Sequence, residues 1–181
     1  MEQIVLRMVG KDNLYNYLKI DGTLLSHQWF DEVKDFKNGF ALVKLNDEYN
    51  FINTDGKLIS DQWFDCIEHE NVLLNGLFMV KLNDKYNLLN TDGKLISDQW
   101  FDLVEKFSGG FIKVRLKGKE NLLDTNGKLF SEEWFTHIRD FIDGVAHVYL
   151  FGKGYNLLDI HRGLVSKEWF DWIASKQTVN T

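Results

Sequence analysis

Five tryptophans recur at Trp29, Trp63, Trp100, Trp134 and Trp169, spaced by 34, 37, 34 and 35 residues. Each is followed by phenylalanine (Phe30, Phe64, Phe101, Phe135, Phe170) and preceded three residues earlier by serine (Ser26, Ser60, Ser97, Ser131, Ser166). Thirteen residues before each tryptophan stands asparagine: Asn16, Asn50, Asn87, Asn121 and Asn156. Four columns keeping one phase through five copies define a tandem repeat. A repeat of this length is one supersecondary unit, too small to bury its own aromatics and stable only against its neighbours.

The second copy shows the local logic. Residues 40–45 alternate, with Ala41, Val43 and Leu45 on one side and Leu42 and Lys44 on the other, the period of a strand with one buried face. Asn46, Asp47 and Glu48 are turn material, and Tyr49 to Asn53 reads as the returning strand. The Asp55-Gly56 pair is a hairpin signal, and Lys57, Leu58 and Ile59 read as a third short strand. Ser60 to Asp65 reads as one helical turn, with the serine as cap and acidic residues near its start. Tryptophan and phenylalanine then supply the apolar area that packs one unit on the next. Phe36, Phe107 and Phe141 each precede a glycine (Gly39, Gly110, Gly144) that opens the following unit.

The expected fold is all-β: three-stranded antiparallel units, each with a short helical turn, in one repeat domain over residues 1–181. The array is elongated or superhelical, with a closed five-bladed, propeller-like ring as the alternative. Unit boundaries fall near 3–37, 38–74, 75–108, 109–142 and 143–175, with 176–181 as a tail. The second copy carries three extra residues around Asn71 to Leu74, read as a bulging loop. The fifth replaces Asp-Gly by His161-Arg162 and has no strand signal after Trp172, as a capping repeat would.

Composition narrows the function classes. A net charge of −6 opposes duplex nucleic-acid binding, which rests on clustered cations. The single cysteine, Cys66, excludes an intrachain disulfide and suits a reducing compartment, so the expected location is cytoplasmic. No run of about 18 apolar residues is present, and no membrane association is expected. Proline is absent, which leaves the turns to glycine, asparagine and aspartate.

These motifs together (Phe-Ala-x-Val at 40–43, Tyr-Asn-Phe-Ile-Asn at 49–53, Asp-Gly-Lys-Leu-Ile-Ser at 55–60, Trp-Phe-Asp at 63–65) resemble the WG β-repeat family, found in many bacterial and phage proteins. The Trp-Gly that names the family is Tyr-Asn here in four copies and Glu120-Asn121 in one. Asparagine tolerates positive φ well, so these five residues are expected to hold a bulge or turn rather than a ligand. The resemblance implies an all-β repeat with a binding role and no defined active site.

The remaining chemistry is sparse. The five histidines fall in different columns, so no metal site is expected, and Cys66 occupies a tolerant position with no His–Asp pair implied. Asn53 to Gly56 lacks the ligand spacing of a calcium loop and reads as a turn. Asp31, Asp65, Asp102 and Asp171 share a column with Thr136, which keeps an acceptor without charge and so points to a structural bond. The tryptophans are expected as inter-repeat core. One outward column remains as a candidate ligand or partner surface: Lys44, Lys81, Arg115 and Tyr149. The expected function is a non-enzymatic scaffold that binds a protein partner through the extended face, without a cofactor. The alternative is capture of a small molecule, such as a nucleotide or sugar, in an aromatic- and lysine-lined groove or channel, and a small anionic ligand is a possible partner.

Overall fold

Hairpins form where the sequence alternates and where two turn residues accept positive φ. In the computed structural model, which describes residues 5–72 and 76–174, Asn46 and Asp47 (φ 52° and 65°) turn β4 (Phe40–Leu45) back into β5 (Glu48–Asn53). Asn83 and Asp84 do the same between β7 (Phe78–Leu82) and β8 (Lys85–Leu89). Two consecutive left-handed residues match the right-handed twist of the flanking strands, which is why asparagine and aspartate stand there.

The chain divides into two compact units, residues 1–98 and 99–181. The first holds a two-stranded sheet, β1 (Leu6–Lys11) with β2 (Leu14–Lys19), and two three-stranded antiparallel sheets. Those are β3 (Glu32–Val33) with β4 and β5, and β6 (Cys66–Val72) with β7 and β8. The second unit holds β9 (Leu103–Lys106), β10 (Ile112–Leu116) and β11 (Lys119–Leu123) as one sheet. Its other sheet is β12 (His137–Ile138), β13 (Val145–Leu150), β14 (Gly154–Asp159) and β15 (Gly163–Leu164).

The all-β repeat of three-stranded antiparallel units is thus present, with one strand reassigned. The third strand comes from before the hairpin: Glu32 pairs with Lys44 and Val33 with Val43. The segment after the Asp-Gly turn makes a single bridge, Leu58 to Ile52, and lengthens to a strand only as β15. Every sheet after the two-stranded first one therefore borrows a strand that the sequence places in the preceding copy. The extra residues of the second copy extend β6 and are absorbed as a register shift between Glu68 and Val72; residues 73–75 lie outside the described ones. Residues 172–174 form no strand.

The helical turn is not formed; residues 60–65 are bends and irregular backbone with a bridge at Phe64. Their hydrogen-bonding groups are claimed elsewhere. Ser60 Oγ accepts from Gln62 N at 3.1 Å, and the carbonyls of Ser60 and Gln62 accept from Asn50 Nδ2 at 2.8 and 3.1 Å. Phe64 exchanges both backbone bonds with Tyr49. A helix would need those same groups for itself.

The asparagines also depart from expectation. None of the five is at positive φ; each lies within a strand, at most 1% exposed. Their value is the side-chain amide, which donates to two carbonyls while Oδ1 accepts the next residue's N–H, as from Phe51 at 2.8 Å. The same set recurs at Asn16, Asn121 and Asn156.

In the first four Trp-Phe pairs the phenylalanine is buried more deeply than the tryptophan expected as core. Phe30, Phe64, Phe101 and Phe135 are at most 1% exposed, whereas all five tryptophans are half-buried. The tryptophan is the staple between copies: Trp63 packs on the cluster of Tyr17, Leu25, Phe30, Ala41, Val43 and Ile52, and Trp169 lies 6.4 Å from the Phe135 ring. Phe170, in the last copy, is 42% exposed. Copies also meet through backbone. A Cβ on Gly93 (φ 77°) would fall 1.4 Å from the Ile59 carbonyl oxygen, so both its φ and its space demand glycine.

Phe64→Ala should cost about 3–5 kcal/mol in urea unfolding, and Trp63→Ala clearly less. Equal costs would return the tryptophan to the centre of the core. Gly93→Ala should cost more than about 2 kcal/mol, combining left-handed strain with displacement of the neighbouring chain. A neutral result there would mean that the two copies separate freely.

Candidate functional site

The conserved phase of the repeat is spent on its interior. Asp31 Oδ2 accepts from Asn46 N at 2.7 Å, Asp65 Oδ2 from Asn83 N at 2.7 Å, Asp102 Oδ2 from Lys117 N at 2.6 Å, and Thr136 Oγ1 from Phe151 N at 2.8 Å. The column is an acceptor that ties the Trp-Phe segment to the next hairpin turn, as its threonine substitution implies. Asn53 Oδ1 accepts from Asp55 N and Lys57 N, closing a turn and not a cation loop.

Among the positions that vary from copy to copy is one cross-strand pair on the hairpin surface. Strand register sets Gly10 opposite Tyr15, Lys44 opposite Tyr49, Lys81 opposite Tyr86, Arg115 opposite Glu120 and Tyr149 opposite Tyr155. The lysine heads lie over their tyrosines, Lys44 Nζ at 5.6 Å from the Tyr49 centroid and Lys81 Nζ at 5.9 Å from that of Tyr86. The Tyr149 and Tyr155 rings are 4.9 Å apart.

The candidate column falls at one residue per hairpin, and its cations are partnered. Lys44 Nζ is 3.0 Å from Asp47 and 3.6 Å from Glu32; Lys81 Nζ is 2.7 Å from Asp84; Arg115 Nη2 is 2.9 Å from Glu120. The Asp47 and Asp84 carboxylates hold the two lysines above their ordinary pKa. The strand face that carries them is also partly covered, because Leu42, Met79 and Lys113 in the same rows are buried. Within this surface the tyrosine column escaped attention as a partner of the cations. Its signal was the Tyr-Asn dipeptide, read only for its asparagine.

The fourth copy replaces the tyrosine by Glu120, 3% exposed, and builds a charged cluster around it. Lys113 Nζ, 3.8 Å from Glu120 Oε2, donates to the Ile138 carbonyl at 3.0 Å and sits 4.4 Å from the Phe107 ring centroid. Ile138 N donates to Glu120 Oε2 at 2.9 Å, and His137 Nδ1 lies 3.4 Å from the same oxygen. Burial alone would raise this carboxyl. The Arg115 hydrogen bond, the Ile138 N–H and the charges of Lys113 and His137 outweigh it and hold the pKa below the usual range.

The family model described as "WG containing repeat" matches residues 30–49 and 88–119, so the chain is similar to WG-type repeats over those two segments. No curated protein matches the chain. Among solved structures it is similar to Hsv2 of Kluyveromyces lactis with a loop replaced by a Gly-Ser linker, at 13% identity and a TM-score of 0.38, covering 98% of this chain and 67% of that one. It is similar to the computationally designed Ika4 protein at 11% identity and a TM-score of 0.34, covering 69% and 88%. It is similar also to PorZ of Porphyromonas gingivalis at 10% identity and a TM-score of 0.39, covering 91% of this chain and 26% of that one.

Because Glu120 has a lowered pKa when folded, its contribution to stability is complete above the ordinary glutamate range and is lost as pH falls through the folded value. Glu120→Gln should be less stable than the parent at neutral pH by about 1–3 kcal/mol. The gap should close as pH falls below the ordinary glutamate range and through the lowered folded value. Urea titrations at several pH values read both effects; a gap that does not change with pH would remove the charged cluster from the account.

Proposed function

We propose that this array of WG-type repeats is a non-enzymatic binding module that engages a protein partner through its hairpin surface. One observation carries the reading: an invariant interior frame presents a cross-strand pair that changes from copy to copy. The asparagine, serine and aspartate columns are consumed by backbone bonds, whereas the Gly-Tyr, Lys-Tyr, Arg-Glu and Tyr-Tyr pairs are free to differ without disturbing them. Tyrosine and arginine are the residue types that concentrate affinity at protein interfaces, because they bring large contact area with a polar head.

Lys44, Lys81, Arg115 and Tyr149 contribute to that surface as members of these pairs rather than as a row of bare cations. A partner that engages them competes with Asp47, Asp84 and Glu120, so the interaction is screened by salt. A single, exposed cysteine accords with a cytoplasmic setting in a bacterial or phage-infected host.

The test is a variant with Tyr49, Tyr86 and Tyr155 all changed to serine, checked for an unchanged far-UV spectrum. Proteins cross-linked by the parent in host extract should be lost by the variant and released from the parent by raised ionic strength. Capture of the same proteins by both would place binding elsewhere on the chain.

A further inference from the structure

In four copies the residue opposite the tyrosine column, or opposite its replacement, is long: Lys44, Lys81, Arg115 or Tyr149. In the first copy it is Gly10. Backbone conformation does not require glycine there, since Gly10 is not at positive φ, and an added Cβ would meet nothing nearer than Tyr15 Cε1 at 3.5 Å, an ordinary contact. What the glycine leaves is space. A cavity of about 350 Å³ opens beside it, lined by Met8, Val9, Gly10, Tyr15, Glu32 and Val33.

The equivalent place in the fourth copy is filled. Lys113, Arg115, Glu120 and His137 occupy the positions of Met8, Gly10, Tyr15 and Glu32, and they bond to one another there. In the second and third copies a lysine of the chain itself lies over the tyrosine. The first copy keeps the ring, 43% exposed, and omits the cation.

The geometry points to this cavity as a binding site for a primary alkylammonium group, taken from a free amine or from a lysine side chain. The ammonium sits between the Tyr15 ring and the Glu32 carboxylate, as Lys44 sits between Tyr49 and the same carboxylate. Met8, Val9 and Val33 provide an aliphatic wall for the methylene stem, and a chain of net charge −6 favours a cationic ligand. Lys34 also reaches the cavity and stands 3.4 Å from Glu32 Oε2 with its side chain 56% exposed, so a ligand ammonium competes with it. The Gly10-Tyr15 pair belongs to the hairpin surface described above, but the site is tested with small amines alone and needs no protein partner.

The experiment is a titration of the full chain followed through the backbone amide signals of Gly10, Tyr15 and Val33. Added n-butylammonium should give saturable shifts, and neutral n-pentanol should bind at least about threefold more weakly. Gly10→Lys, which supplies the side chain that other copies carry, should lose the response while the remaining spectrum is retained. Lys34→Gln should bind the ammonium more tightly, because it removes the competing charge. A lysine-containing tripeptide that binds better than n-butylammonium assigns the site to a protein side chain; one that binds no better assigns it to free amines. The proposal is overturned if ammonium and alcohol respond alike, if Gly10→Lys binds as the parent does, or if Lys34→Gln weakens binding.

Discussion

Everything in a copy hangs on one buried amide. Asn50 Nδ2 reaches ten and twelve residues ahead to the carbonyls of Ser60 and Gln62, while Oδ1 takes the adjacent Phe51 N–H. A segment without regular secondary structure is thereby fastened to the middle of a strand, and its backbone groups avoid the cost of burial without partners. That fastening aims Phe64 into the interior and leaves Trp63 at the seam with the preceding copy. Asparagine suits the task because it offers two donors and an acceptor in a short, neutral side chain. Aspartate would bring a buried charge, and glutamine would bring an extra rotatable bond.

The interior so constructed leaves little polar chemistry unassigned. Serine turns the chain through its own hydroxyl, and aspartate or threonine caps the next hairpin. Part of the diversity falls where it does no harm, at the cross-strand pair over the hairpin. There the copies span a cation on a ring, two tilted rings in contact, an ion pair and an open space. Framework and display are carried by different residues, which is the arrangement that lets a repeat array acquire specificity without losing its fold.

Much of this was legible from spacing alone. Periodicity identified the copies, the alternating strands and the glycine turns, and the threonine in the aspartate column identified a structural acceptor. Three features were not legible, for physical reasons. Strand pairing is long-range, so nothing local says that Glu32 and Val33 belong to the sheet of the following copy. Ser60 to Asp65 carries the composition of a helix start, and only the distant Asn50 amide decides against it. Trp63 and Phe64 are both large and apolar, and which of them points inward depends on the bridge between Phe64 and Tyr49. At the candidate surface the column is legible but the acids beside it are not, because Asp47 reads as a turn residue and Asp84 holds the same place in the third copy.

The borrowed strand has a consequence for how such a chain grows. Since every sheet after the first takes its first strand from the copy before, a stretch of about 35 residues cut between that strand and its hairpin holds no whole sheet. A duplicated genetic segment of one repeat length nevertheless restores the same order of strands on both sides of the insertion, wherever in the period it is cut, and so would slot into the array as a whole number of units. Recombination need not find a domain boundary, only the right length.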